Sequence, residues 1–425
     1  MRYDTIIIGG GMGGLVTGIN LLRQGQKVAV ISAGQSALHF NSGSFGLYGR
    51  HNGEDITDNP LDYIKGLPET HPYSKVGIDN ILKYIPQVKP LFEEVGVTLH
   101  GDEKRNHYRL TPIGMLKPAW LSMEGYATAD SPAPLSWGKA LLVNIQGYLD
   151  FYPQFLSRGL EKAGLKVESR TFTLDSLQHL RKSATEMRAT NIARVLDGNV
   201  LRDVARHINR FIDETDATTV IMPAVIGMFD ESPIRLLQEQ VKVPVRFIST
   251  IPMSVGGMRA QMKLRTWFHQ HGGTYLLGDI VTRGTIDGGR VKEIYTANLA
   301  DMPLAADNFV IASGSFLSHG LEANPDSVYE PIFGLDVVAD PNRPQWCDPD
   351  LYKEQSFEHY GIATDSSLRV SHKGSTLDNL FAAGAVIGGC NALKEESGAG
   401  VTLMTAFKVA DQILNSKKVT MFASD

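Results

Sequence analysis

Cysteine is almost missing. Only Cys347 and Cys390 occur in 425 residues, far apart in the chain. That excludes a disulfide scaffold, a redox-active CxxxxC pair and an iron–sulfur cluster held by four cysteines of this chain alone. Any such cluster has to sit in a partner. Positive charge is short too: 41 Lys and Arg against 46 Asp and Glu leave a formal net charge of -5. There is no basic footprint for nucleic acid, and no charge run long enough for a disordered tail. Long apolar runs are lacking as well. The longest uncharged run, residues 5–22, carries six glycines and reads as strand, turn and helix. No transmembrane helix and no direct span of a membrane are therefore expected. The N-terminal residues show no basic n-region, apolar h-region or small-residue cleavage site, and a cytoplasmic location is expected.

What is present is 43% hydrophobic content, enough for a large core divided into roughly two or three domains. The first strand, 4–8, is an isoleucine-rich run of the kind buried on both faces of a parallel sheet. A helix follows with Leu15, Ile19 and Leu22 on one face and Gly25 as its stop, then a second strand at 28–31. Residues 35–134 hold many turn residues and one long periodic run, a helix over 78–95. Alternation then resumes. Strands at 140–145, 166–172, 219–222 and 245–248 are interleaved with helices at 153–163, 200–214 and 234–240, which implies a second α/β layer structure. From Met258 a helix to His271, a strand at 274–277 and a hairpin at Asp287-Gly288-Gly289 lead to the buried strand of "NFVIASGSF". A last strand at 380–383 and a helix over 401–414 close the chain.

Gly9, Gly11 and Gly14 fit G-x-G-x-x-G, with a strand before, a helix after and a second strand within about thirty residues. The first glycine makes the tight turn, the second lets a phosphate reach the main chain, and the third lets helix pack on strand. The helix N-terminus adds free N–H donors and partial positive charge. "FVIASGS", with Gly314, resembles the strand and turn that cross under the dinucleotide in two-dinucleotide-fold flavoproteins. "NLFAAGAVIGG", with Gly384, resembles the strand that ends beside the flavin ribityl chain. The final helix begins at "SGAGVTL", where the amides around Gly398 and Gly400 are placed to stabilise the negative charge of a reduced flavin. A second glycine loop for a nicotinamide nucleotide is absent.

The glycine loop, "QSALHFNSGS" (35–44), "HPYS" (71–74), "ATEMRATNIARVLD" (184–197), "VIASGSF", "EPIFGLDV" (330–337) and "NLFAAGAVIGG" together resemble the B-subunit family of anaerobic glycerol-3-phosphate dehydrogenase over nearly the whole chain. The resemblance implies a flavin subunit, assigned FMN in that family. It pairs with an FAD-bearing catalytic subunit and a membrane-associated iron–sulfur subunit, and is thus peripheral to the inner membrane through a partner. The complex oxidises sn-glycerol 3-phosphate to dihydroxyacetone phosphate and passes electrons to a quinone. Two other readings stand beside it: an electron-transfer or assembly subunit of that complex, and a standalone flavin oxidoreductase of another small substrate.

The fold expected is α/β. A Rossmann-like two-dinucleotide-fold flavoprotein domain is built from both chain ends (1–36, 255–318 and 372–425), with an inserted second α/β domain for cap, substrate or partner contacts (37–254 and 319–371). Oxidising an alcohol needs a hydride acceptor, a base and cations for the phosphate. His39 is a candidate base, or a histidine satisfied in a polar loop. Arg188, Asn191 and Arg194 share a helical segment and face either an anion or solvent. Arg259 touches flavin or phosphate, or pairs with a carboxylate. Ser42 and Ser44 donate to phosphate or flavin, or simply make a turn. Lys394, Glu395 and Glu396 read as a solvated turn, and no metal ligands are assigned.

The nucleotide itself turns on an absence. The acid that usually closes the second strand on an adenosine ribose is replaced by Ser32, and the aspartate of "AxGD" by Ala385. The loss at Ser32 places FMN ahead of FAD, although a serine hydroxyl can also bond a ribose; Ala385 favours neither flavin. No arginine follows Ile31 to receive the 2′-phosphate of NADP.

Overall fold

The computed structural model describes residues 2–182 and 187–422, with side chains assigned through residue 180 and from 187 to 416. The "ATEMRATNIARVLD" segment therefore begins outside the described residues. The main sheet has eight strands. Five run parallel, in the order Thr274–Leu277, Val28–Ser32, Arg2–Ile8, Leu304–Ile311, Ser375–Ala382. Arg290–Thr296, Val281–Asp287 and Arg369–His372 add antiparallel pairings on the far side. Ile6, Ile7, Val28, Ala29, Val30, Phe309, Val310 and Ile311 are all buried, as strands covered on both faces require. The expected hairpin is present: Asp287 pairs with Arg290 across Gly288 and Gly289, whose φ values of 56° and 72° fit a two-residue primed turn.

The order of this sheet creates the site. From Arg2–Ile8 the chain steps one way to Val28–Ser32, and much later returns on the other side as Leu304–Ile311. The crevice at the carboxyl ends of these two central strands is where an open α/β sheet takes its ligand. Three helices cover the sheet here: Met12–Leu22, Val255–Gln270 and Gly398–Phe422. The last starts three residues earlier than its apolar periodicity suggests, because Gly398, Ala399 and Gly400 carry no periodic signal. Helix Ile78–Glu94 packs on it, with Tyr84 stacked on Phe407 at 5.5 Å.

A second sheet has four parallel strands in the order Lys166–Phe172, Lys139–Ile145, Thr219–Pro223, Val245–Ile248. Helices Pro153–Lys162, Asn199–Thr215 and Ser232–Gln240 attend it. Its core, with Leu141, Val143, Ile208, Val220 and Ile221, is separate from the first. Between the layers lie small antiparallel sheets that the sequence pattern did not reveal. One joins Thr128–Ala129, His107–Leu110 and Leu116–Ala119; another joins Ser44–Phe45, Leu121–Met123 and Leu99–His100. These strands have two to four residues, too short for a period of two to register. Among the described residues no helix is long and apolar enough to cross a membrane.

Candidate functional site

The three glycines of the first turn have different jobs. A Cβ on Gly9 (φ 115°) would stand 2.1 Å from the carbonyl oxygen of Ala312, and one on Gly14 would stand 1.9 Å from the carbonyl oxygen of Gly9. Both positions let backbone meet backbone. At Gly11 a Cβ would meet only Ser36 Cβ, at 3.5 Å, so this face of the turn is open to a ligand. Gly11 caps its helix with no side-chain hydrogen bond and no acid in the first turn, which leaves N–H donors and positive potential for a phosphate. Two side chains lock the turn: Gln261 Nε2 donates to Gly10 O at 2.5 Å, and Tyr275 OH donates to the same oxygen at 3.2 Å. Gln261 in turn accepts from Ser36 Oγ at 2.5 Å. Neither carried a sequence signal, since a glutamine within a helix and a tyrosine within a strand are ordinary.

Opposite the turn, the Ser313 hydroxyl is buried without a partner among the described residues, next to Gly314 at φ 89°. Gly384 (φ 79°) donates its amide to Thr405 Oγ at 2.9 Å, tying the last strand to the last helix. Ser42 and Ser44 bond each other at 2.9 Å in a loop ordered by Asn41, whose Oδ1 accepts the Gly43 amide at 2.7 Å. At the last helix, the amides of Gly398 and Ala399 donate to no group among the described residues. Gly400 has another role: its N–H donates to Gly46 O at 2.8 Å, and a Cβ there would lie 2.2 Å from the Tyr73 hydroxyl. An open phosphate turn, an orphaned hydroxyl and free helix amides fit a flavin nucleotide.

At the adenosine end, Ser32 is buried and its hydroxyl is turned onto Gly34 O at 3.2 Å. The nearby acid is Asp279, whose amide reaches Ser32 O at 3.2 Å. One of its carboxylate oxygens accepts the amides of Ile280 and Asn298 at 2.9 and 3.0 Å.

The expected catalytic residues are dispersed. His39 closes a capping box, its Nδ1 accepting the Ser36 amide at 3.3 Å. An imidazole so engaged keeps its proton on Nε2 and has no free lone pair for a hydroxyl proton. Burial, chiefly, lowers its pKa from the usual histidine value. His39 is thus the satisfied histidine rather than a base. Arg188 precedes helix Ala189–Val195 as its N-cap, and Arg194 donates to Asn191 at 3.2 Å; both arginines are exposed. Arg259 is only 1% exposed and points into the second layer. There Nη1 donates to Gly227 O at 2.5 Å, while Nε and Nη2 are unpartnered among the described residues. Among the described residues it pairs with no carboxylate, and Tyr126, Phe247 and Ile226 line the small cavity beside it.

The turn 394–396 corrects the sequence reading. Only Lys394 is solvated; the Glu395 and Glu396 side chains are each 16% exposed. Glu395 accepts from His71 Nε2 at 3.2 Å, Ser397 Oγ at 2.8 Å and the Asn391 amide at 3.2 Å. His71 Nδ1 accepts the Tyr73 amide at 3.1 Å, which fixes the Nε2 proton on the Glu395 side. Burial opposes the Glu395 charge, but the His71 and Ser397 hydrogen bonds prevail and hold its pKa below the usual value. Cys390 lies beside this pair, its thiol pushed up to about 12, mainly by burial. His71, Cys390 and Glu395 offer ligand atoms within 4.8 Å of one another, yet a protonated Nε2 and a protonated thiol mark a hydrogen-bonded cluster. Glu396 faces the small sheet, with Lys117 Nζ at 2.5 Å and Arg109 Nη2 at 3.7 Å. The only sequence signal for this cluster was "HPYS".

A model described as an FAD binding domain matches residues 4–401. The B subunit of the anaerobic glycerol-3-phosphate dehydrogenase of Yersinia enterocolitica is 40% identical over 426 aligned residues, 99% of this chain and 100% of that one. The chain belongs to the B-subunit family of anaerobic glycerol-3-phosphate dehydrogenase. Its member from Vibrio cholerae is 36% identical, covering 97% of each chain. Among solved structures, 3-ketosteroid Δ1-dehydrogenase of Sterolibacterium denitrificans aligns with 98% of this chain and 100% of its own at 12% identity and a TM-score of 0.47. The B-subunit family is thus one of flavin-dependent oxidoreductases, with the α/β fold expected from the sequence.

Proposed function

We propose that this chain is the flavin subunit of an anaerobic glycerol-3-phosphate dehydrogenase, oxidising sn-glycerol 3-phosphate to dihydroxyacetone phosphate and passing electrons to a quinone through partner subunits. The observation that carries this reading is 36–40% identity over nearly the full length with proteins named as the B subunit of that enzyme, joined to an open glycine turn at the sheet's switch point. A name of this form implies sister subunits. With only Cys347 and Cys390, an electron path through iron–sulfur clusters needs one. An FAD-bearing catalytic subunit and a membrane-associated iron–sulfur subunit complete the proposal, placing this chain at the inner membrane by contact. The units proposed are 1–36, 255–318 and 372–425 for the flavin and 37–254 with 319–371 inserted. The second sheet lies within the inserted unit, while apolar residues of 38–99 and 321–362, helix Ile78–Glu94 among them, pack with the first core.

When bound, the flavin accepts a hydride from the alcohol carbon and can release the electrons singly. The chain's part is to hold and polarise it. Gly9, Gly11 and Gly14 shape the phosphate turn, Ser42, Ser44 and Gly314 line the crevice, and Gly384 and Gly398 border its C-terminal side. The Gly398 and Ala399 amides put the positive end of a helix where negative charge develops. For the nucleotide we propose FMN, because the position that usually carries the ribose-binding acid is Ser32, although the matching family model is described by FAD. Releasing the cofactor from purified protein and weighing it tests this; the mass of FAD would overturn FMN, and an empty protein would overturn the flavin reading.

Catalysis is tested by anaerobic rapid mixing of the flavin-loaded chain with glycerol 3-phosphate. Bleaching of the flavin absorbance is expected. Its absence, with bleaching in the assembled complex, would make this chain an electron-transfer or assembly subunit. Full quinone-linked activity of the isolated monomer would favour a standalone oxidoreductase.

A further inference from the structure

We propose that Arg109 and Lys117 form a phosphate subsite that takes the phosphomonoester of a small phosphorylated alcohol, with Glu396 as the counter-ion it displaces. This inference rests on the substrate class proposed above and names the residues that would recognise it. Arg109 and Lys117 stand directly opposite each other in the hairpin of His107–Leu110 and Leu116–Ala119, so their side chains leave the same face. Like charges in that relation are unfavourable, and the chain tolerates the pair in a partly buried place: the side chains are 17% and 34% exposed.

One carboxylate serves both cations. Lys117 Nζ lies 2.5 Å from Glu396, and Arg109 Nη2 lies 3.7 Å from it, an ion pair longer than a hydrogen bond. Neither cation has another ion-pair partner among the described residues. The group thus keeps an excess positive charge inside a protein whose formal net charge is -5. A dianion supplies what Glu396 does not, and the planar guanidinium fork of Arg109 matches a phosphate's oxygens. Thr128, paired opposite Arg109 on its other side, brings a hydroxyl to the same face. Glu396 is two residues ahead of Gly398, the first residue of the last helix, which ties the cationic pair to the segment proposed above to border the flavin.

The test is calorimetric titration of the flavin-loaded full chain with glycerol 3-phosphate, inorganic phosphate and glycerol. Arg109→Gln and Lys117→Gln are expected to raise Kd for both phosphate compounds at least about tenfold, with the glycerol response and flavin spectrum unchanged. Glu396→Gln, which removes the competing carboxylate, is expected to tighten phosphate binding several-fold. Arg109 and Lys117 variants that bind phosphate like the parent would overturn the subsite, while bleaching by glycerol 3-phosphate would leave the functional reading intact. Phosphate binding that depends on the pair, without bleaching in chain or complex, would uphold the subsite and overturn the functional reading. A parent chain that binds neither phosphate compound would overturn the subsite. If Arg109→Gln fails to fold, Lys117→Gln and Glu396→Gln decide by their opposite shifts.

Discussion

Gly11 and Gly14 lie three residues apart in one motif, and the structure assigns them opposite failures. Alanine at Gly11 meets no obstacle: φ −78° and ψ −171° suit any L-residue, and the new methyl would sit 3.5 Å from Ser36 Cβ. Apo stability should change by no more than about 0.5 kcal/mol, or rise slightly because the unfolded chain loses freedom. The methyl does stand between the main chain and the phosphate. Losing one charge-assisted hydrogen bond costs about 1.5–3 kcal/mol, roughly a ten- to hundredfold loss of flavin affinity. Alanine at Gly14 would put its methyl 1.9 Å from a backbone carbonyl and 3.2 Å from Ile7 Cγ2. Neither can yield without parting helix from strand, so a loss of about 3 kcal/mol, the upper end of overpacking costs, is expected with or without flavin. Urea unfolding of the apo proteins and flavin titration followed by fluorescence separate the two effects. Parent-like flavin affinity in Gly11→Ala would refute the phosphate placement, and a parent-like midpoint in Gly14→Ala would refute the packing role.

Acid sensitivity should trace in part to His107, whose pKa burial drags down to about 4 while its Nε2 is hydrogen-bonded with Ser122 Oγ at 2.7 Å. The unfolded chain binds this proton first, so the histidine's contribution is complete above about pH 6.5. It falls by up to about 3 kcal/mol as pH drops toward 4; His107→Gln should flatten the unfolding midpoint across that window, and an unchanged slope would count against it. Thr405→Val should cost about 1–3 kcal/mol in urea unfolding by orphaning the buried Gly384 amide; a neutral effect would mean that the amide finds another partner. Iodoacetamide at neutral pH should add one adduct, at exposed Cys347, and a second only in denaturant, because the Cys390 thiol is buried with its pKa near 12. Two adducts in the native protein, read by mass, would contradict that burial.

The parts legible in sequence are those whose physics is local. A buried parallel strand announces itself as "TIII", a φ > 0 turn as Gly288-Gly289, and a phosphate turn as three glycines between strand and helix. All four strands of the second sheet were legible: three are short, largely apolar runs, and the mostly polar Lys166–Phe172 is set off by the helix and Gly164 before it. Gly400 looked like its neighbour Gly398, but its amide is taken by Gly46, more than 350 residues earlier. For His39 the sequence left two readings, a base or a satisfied histidine; its ring bonds the Ser36 amide, and the serine three positions before it was the capping signal.

The charged cluster ahead of the last helix was hidden for a deeper reason. His71, Arg109, Lys117, Glu395 and Glu396 come from four segments, and none departs from the composition of an ordinary surface. One physical constraint bears on the two glutamates. Two glutamates directly ahead of a helix are favourable for the helix itself, since carboxylates offset its positive end. If that same end has to stabilise a flavin turning negative, two unneutralised carboxylates oppose it. In the ligand-free chain the conflict is met by tying each acid to a donor from elsewhere. His71 and Ser397 do this for Glu395, and Lys117 and Arg109 for Glu396. An acidic pair at a helix that must face an electron-rich group is therefore better read as a demand for distant cations than as a solvated turn, and here the cations exceed the acid they serve.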